Sequence, residues 1–171
     1  MKLFEYDVNE IIPNLWLGNY KAACDKKFLN DYKIKNVITI MDNFDNNCRY
    51  NNIRYVNIPI KDKSVCNINF NEIFEKTNKF IKLCLDKGES VLVHCKKGHH
   101  RSAAIVVGYL IKHENWGFVE SVKYINNLRP YALRRDTCMS KNVFKYYLHI
   151  NNKTCDITCN KYGSVHYCSC K

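Results

Sequence analysis

The chain has 171 residues, 46% of them apolar, enough for one domain with a single mixed core and too little for two. Lys+Arg 27 against Asp+Glu 16 gives a formal net charge of +11, which calls for an anionic substrate or partner. A basic low-complexity arm or repeated aromatic–basic pattern is missing, which argues against dedicated nucleic-acid binding. No apolar run is long enough for a membrane span, and MKLFEYDVNE is too acidic and short for a secretion signal, so a cytoplasmic protein is expected.

Taken in order, Ile11–Gly18 (IIPNLWLG) opens with a turn at Pro13-Asn14 and alternates through Leu15, Trp16 and Leu17, reading as a short edge strand. Ala22–Asp31 is predicted as the first helix, Asn36–Ile40 (NVITI) as a buried strand and Asp42–Asn52 as a polar, turn-rich loop. Ile53–Ile58 is the next strand, stopped by Pro59, and Pro59–Asp62 leads into another loop. Phe70, Ile73, Phe74, Thr77, Phe80, Ile81 and Leu85 recur at helical spacing, and Gly88 follows as a C-cap. Val91–Val93 is a β-branched run entering His94 and Cys95. A nearly all-apolar helix, Ser102–His113, is expected to be buried. Gly117–Leu128 is a further helix, ended by Arg129-Pro130. Asp136–Ile150 holds the last, with Val143, Phe144, Tyr147 and Leu148 on its core face. This alternation predicts a single α/β domain over 8–150, with a central mostly parallel sheet flanked by helices, and a Cys-rich tail over 151–171.

The chemistry concentrates in Ser90–Val107, SVLVHCKKGHHRSAAIVV. It is strand, tight loop and helix N-terminus, with Cys95 first in the loop and Arg101 at its end. Such a loop turns backbone N–H groups inward, and the helix dipole adds positive potential at the same point. A thiol held there favours the thiolate and serves as a nucleophile. Arg101 presents two parallel donors to phosphate oxygens, and Ser102 has a hydroxyl for the thiolate. A bare Cys-x5-Arg spacing is expected roughly 0.3 times by chance in this composition, so the weight rests on the combination with His94, Gly98, Ser102 and the strand–loop–helix context.

HCKKGHHRS resembles the H-C-x-x-G-x-x-R-S/T loop of the cysteine-dependent phosphatases, and in particular the small dual-specificity protein phosphatases. IIPNLWLGNYKAA is similar to that family's opening Leu-x-Leu-Gly segment, IPIKD to its general-acid loop, and GYLIKHENWGFVESVKYINNLRP to the helix pair after the phosphate loop. The resemblance implies the cysteine-phosphatase fold and cofactor-free, metal-independent hydrolysis of phosphotyrosine and phosphoserine/threonine in phosphorylated protein substrates. It further implies Cys95 as nucleophile and Arg101 with the amides of Lys96, Lys97, Gly98, His99 and His100 as the phosphate cradle. Asp62 stands as general acid, Ser102 as an aid to thiolate departure and His94 as a support behind the loop. Asp42 and Asp45 are rival acids that match no family motif.

Other readings stay open. The basic side chains at Lys96, Lys97, His99 and His100 suit a multiply charged substrate, which keeps a phosphoinositide or an RNA 5′-triphosphate as alternatives. A non-catalytic phosphate-binding module is a further one. Arg134 and Arg135 stand where the family usually has Pro-Asn, and serve either as a second anion site or as ordinary surface charge. Most of the ten cysteines are read as free thiols rather than a disulfide framework, because the proposed chemistry needs a reduced thiolate. Cys66 is either an incidental thiol or a partner for oxidised Cys95. In the tail, Cys155, Cys159, His166, Cys168 and Cys170 are weighed as loosely packed, redox-active or zinc-binding.

Overall fold

The computed structural model describes residues 7–61, 66–134 and 137–153. Five strands, β1 (Val8–Ile12), β2 (Leu15–Gly18), β3 (Ile34–Ile40), β4 (Arg54–Ile58) and β5 (Ser90–His94), form one sheet in the order β1-β2-β5-β3-β4. Only the β1–β2 pair is antiparallel. Strand β5 lies at the centre with all five residues buried, as expected where helices cover both faces. Val91 and Val93 point into the larger core cluster, which also holds Cys95, while Leu92 points into a smaller one on the opposite face.

The smaller face is covered by α1 (Tyr20–Cys24) and α2 (Lys26–Asp31) through Ala22, Ala23, Phe28 and Leu29. The larger face is covered by α3 (Asn71–Asp86), α4 (Arg101–His113), α5 (Phe118–Leu128) and α6 (Cys138–Ile150). Helix α4 is the axis of that layer, with every residue from Arg101 to Ile111 buried. Gly108 lets it approach α3, because a Cβ there would stand 3.0 Å from the Phe74 ring. Helix α3 ends in a Schellman motif: Gly88, at φ 68°, donates its N–H to Leu85, and Glu89 donates to Cys84. None of the described helices is long and apolar enough to cross a membrane.

Several sequence expectations change. Ile11–Gly18 is the second half of a hairpin rather than one edge strand: Asn14 turns the chain at φ 67°, and Glu10 accepts its N–H at 2.8 Å. Strand β1 becomes the edge and β2 an interior strand beside β5. The single helix over Ala22–Asp31 is two, because Asp25 is extended, donates its N–H to Ala22 and accepts the Phe28 N–H on its side chain. On α6 it is Tyr146, not Tyr147, that is fully buried; its hydroxyl donates to Glu75 Oε1 at 2.7 Å and accepts from Asn78 at 3.0 Å, which satisfies the polar end.

The cysteines also differ from expectation. Cys24 is bonded to Cys48 and Cys66 to Cys138, with Cα–Cα separations of 4.6 and 5.1 Å; among the described residues only Cys84 and Cys95 are free thiols. Cys66 is therefore engaged with the N-terminus of α6 and is not the partner of Cys95. The expectation that most cysteines are free thiols is therefore corrected: of the six among the described residues, four are paired.

Candidate active site

Cys95 follows β5 directly, and the six residues Cys95–His100 connect that strand to α4. A parallel sheet presents its ligands beyond the carboxyl ends of its strands, and this loop occupies that place on the central strand. The Cys95 side chain is buried, and its Sγ accepts the Gly98 N–H at 3.3 Å and the Ser102 hydroxyl at 3.3 Å. Two hydrogen-bond donors thus converge on the one sulfur and fix its position at the base of the loop. Gly98 sits at φ 71°, a backbone region that favours glycine, and a Cβ there would lie 2.7 Å from both Gly18 O and Arg129 Nη2. The missing side chain of Gly98 thus lets the loop pack against the backbone of Gly18 at the end of β2.

Arg101 opens α4 and is buried, with Nη1 donating to the carbonyl of Ile60 at 2.8 Å. That bond ties the phosphate loop to the segment immediately preceding the proposed acid. Asp62 itself lies outside the described residues, as do Arg135 and the tail cysteines with His166. Above the loop is a cavity of about 420 Å³ lined by Cys95, Lys96, Lys97, His99, His100, Arg101, Tyr131 and Arg134. Among the described residues no carboxylate lines it, so its field is strongly positive. Lys96 and Lys97 are exposed, whereas His99 and His100 are half-buried.

His94 lies behind the loop, fully buried, its Nε2 sharing a 2.8 Å hydrogen bond with Thr39 Oγ1 and its ring 5.1 Å from that of Phe44. Burial pushes its pKa down to about 4, with the Cys95 backbone pulling weakly the other way. The imidazole is neutral at pH 7 and holds the end of β5 against β3 as a hydrogen-bonding group. The His99 pKa is also lowered, by burial first and by the Arg129 charge second. His99 therefore becomes charged only under more acidic conditions than an ordinary histidine does.

The structure thus brings together Cys95, Gly98, Arg101 and Ser102, with His94 behind them and Lys96, Lys97, His99 and His100 around the mouth. Two residues gain weight that the sequence did not assign them. Tyr131 is 71% exposed at the pocket rim with φ 72°, a strained placement for a bulky residue. Arg129 is buried against the back of the loop, bonded to Gly98 O. An arginine before a proline at a helix end carries no local sign of such a contact; a buried position could only be guessed from the family likeness.

Comparison with known proteins finds phosphatases similar to most of the chain. Residues 15–148 match the family model described as dual specificity phosphatase, catalytic domain. The chain is 35% identical over 123 residues to the tyrosine-protein phosphatase yvh1 of Schizosaccharomyces pombe, covering 72% of this chain and 36% of that protein. It is 30% identical over 125 residues to human dual specificity protein phosphatase 22, covering 73% of this chain and 66% of that one. It spans, in other words, about a third of the one and about two thirds of the other. The crystal structure of DUSP15 superposes with a TM-score of 0.75 at 26% identity, covering 82% of this chain and 86% of that one.

Proposed function

Because the chain belongs to the dual specificity phosphatase family, we propose that it hydrolyses phosphotyrosine and phosphoserine/threonine esters in proteins through a cysteinyl-phosphate intermediate. The observation that carries this reading is the sulfur of Cys95, buried at the base of a cationic cavity with the Gly98 amide and the Ser102 hydroxyl both directed at it. A protein that only bound phosphate would have no use for a thiol so placed.

In the first step the Cys95 thiolate attacks phosphorus in line. An S–P bond forms, the P–O bond to the substrate breaks, and the leaving oxygen takes the proton of Asp62. Arg101 and the loop amides hold the three equatorial oxygens, on which the transition-state charge is spread. In the second step the Asp62 carboxylate takes a proton from water, the resulting nucleophile attacks phosphorus, and the S–P bond breaks. Ser102 donates its hydroxyl hydrogen bond to the departing thiolate. Both protons are accounted for by Asp62, so the cycle needs no other acid.

A second reading is favoured by one observation: six basic side chains, Lys96, Lys97, His99, His100, Arg101 and Arg134, line the cavity. That suits a non-protein polyanion, a phosphoinositide or the 5′-triphosphate end of an RNA, handled by the same chemistry.

Phosphate release at pH 6–7 under mild reduction and without metal separates these. The panel holds singly and doubly phosphorylated peptides, phosphoinositides and triphosphate-ended RNA, tested with wild type and Cys95→Ser. Peptide turnover that falls by more than about 10³-fold in Cys95→Ser is the expected result. A preference for lipid or RNA would keep the mechanism and replace the substrate. No turnover on any member would leave a binding module.

A further inference from the structure

A loop that turns its amides toward Cys95 must send its carbonyls outward, and buried carbonyls need donors. Among the described residues, three of these carbonyls accept from donors outside the loop. Tyr20 N–H donates to Lys96 O at 3.3 Å, Leu133 N–H to His99 O at 2.9 Å, and Arg129 Nε to Gly98 O at 3.2 Å. The first two donors are backbone groups that any residue would supply. Arg129 alone is a side chain, and it is 4% exposed. Its other two nitrogens are also committed: Nη1 donates to Asn9 Oδ1 at 2.9 Å and Nη2 to Asp7 Oδ1 at 2.6 Å. Asp7 in turn accepts from the Asn19 side chain at 2.9 Å, and Asn19 caps α1.

Resting on the phosphatase reading above, we propose that Arg129 is a positioning residue for phosphate binding and turnover: it fixes Gly98 by its carbonyl from behind the loop, and Asp7 and Asn9 fix Arg129. Gly98 needs such a hold: its own N–H, in the preceding Lys97–Gly98 peptide, is the loop amide that meets the Cys95 sulfur, and it is joined to the held carbonyl through a φ of 71° that glycine leaves free to turn. The guanidinium also places a full positive charge directly behind the Gly98 carbonyl, where it reinforces the field at the anion site. Three acceptors on three separate residues require a planar fork, so a lysine at the same position keeps the charge and loses the geometry.

The test uses the full chain and inorganic tungstate as a non-hydrolysable oxyanion, with binding followed by calorimetry and an aryl phosphate for turnover. Arg129→Lys and Arg129→Met, checked for folding by circular dichroism at 20 °C, are expected to weaken tungstate binding at least tenfold and to lower kcat comparably. Asp7→Asn, which leaves the bond to Gly98 in place, is expected to weaken binding two- to fivefold. A lower melting temperature with tungstate affinity and kcat within twofold of wild type, in either folded Arg129 variant, would show a purely structural role and overturn the proposal. Should neither Arg129 variant fold, Asp7→Asn decides: affinity within twofold of wild type overturns the proposal, and weakening supports it. Tungstate binding is read without turnover, so a wild type that binds the oxyanion yet hydrolyses nothing would defeat the phosphatase reading while the positioning of the loop is still measured.

Discussion

Burial takes the His94 ring out of water and holds its pKa near 4, so the folded protein binds this proton less readily than the unfolded chain does. The sign of the linkage follows. Above the unfolded value of about 6.5 the ring is neutral in both states and the full stability is present; as pH falls toward 4 the unfolded chain takes up the proton first and stability is lost. By pH 4.5 the loss from this one group is about 2 kcal/mol. Chemical denaturation of wild type and His94→Asn at pH 7 and pH 4.5 measures it: the variant should be less stable at pH 7 but lose about 2 kcal/mol less on acidification. An identical acid slope in both proteins would mean that His94 is not the group responsible. Gly98 makes a second prediction at this scale. A methyl group there meets Gly18 O and the Arg129 guanidinium, and the φ of 71° is strained for alanine, so Gly98→Ala should cost about 1–3 kcal/mol of stability. It should also lower kcat/KM for an aryl phosphate by at least about tenfold, because the amide it displaces faces the nucleophile.

At the scale of elements, the Cys66–Cys138 bond joins the segment after the proposed acid loop to the start of α6, across a sequence separation of 72. A cross-link closing so long a loop removes substantial entropy from the unfolded chain and is worth about 2–4 kcal/mol. The double variant Cys66→Ser/Cys138→Ser should unfold at correspondingly lower denaturant concentration. Because Cys66 is committed to Cys138, recovery of peroxide-treated enzyme by dithiothreitol should be the same in this variant as in wild type; poorer recovery would restore Cys66 as the guardian of Cys95. The elements themselves were largely readable beforehand, for clear physical reasons. The strands β3, β4 and β5 are short β-favouring stretches bounded by turn residues, α3 carries strong 3–4 periodicity, α4 is nearly all apolar, and α3 and α5 have recognisable ends. What escaped depended on groups far apart in sequence or on a single backbone choice. The positive φ at Asn14 makes a hairpin of one predicted strand, and the dual capping by Asp25 divides one predicted helix. Tyr146 and Tyr147 are equivalent in hydropathy, and only Glu75 and Asn78, reached through the fold, decide which is buried. Both disulfides and the Arg129 contacts belong to the same class. The site was legible to the extent that it is contiguous: Cys95, Gly98, Arg101 and Ser102 share one loop, whereas the supports from Asp7, Asn9, Thr39 and Arg129 come from distant strands and a helix end.

For the molecule as a whole, the charge of +11 and the carboxylate-free pocket, judged among the described residues, act on a substrate before it arrives. Field lines from a positive surface converge at such a cavity and raise the rate of encounter with an anion, and salt screens the effect over about 10 Å at 0.1 M. The dependence should appear in kcat/KM and not in kcat, because steering acts on encounter while the chemical step takes place against buried groups. It should also grow with substrate charge: raising NaCl from about 20 mM to about 0.3 M should lower kcat/KM for a doubly phosphorylated peptide by about tenfold, and for a singly phosphorylated one by about threefold. Lys96 and Lys97 are the exposed members of the rim, so Lys96→Ala/Lys97→Ala should flatten the salt slope for the doubly charged substrate more than for the singly charged one. An unchanged slope in that variant would place the two lysines among ordinary solvated charges and assign the attraction to the net charge of the chain; a slope lost for both substrates alike would show that they steer any phosphate without distinguishing how many it carries.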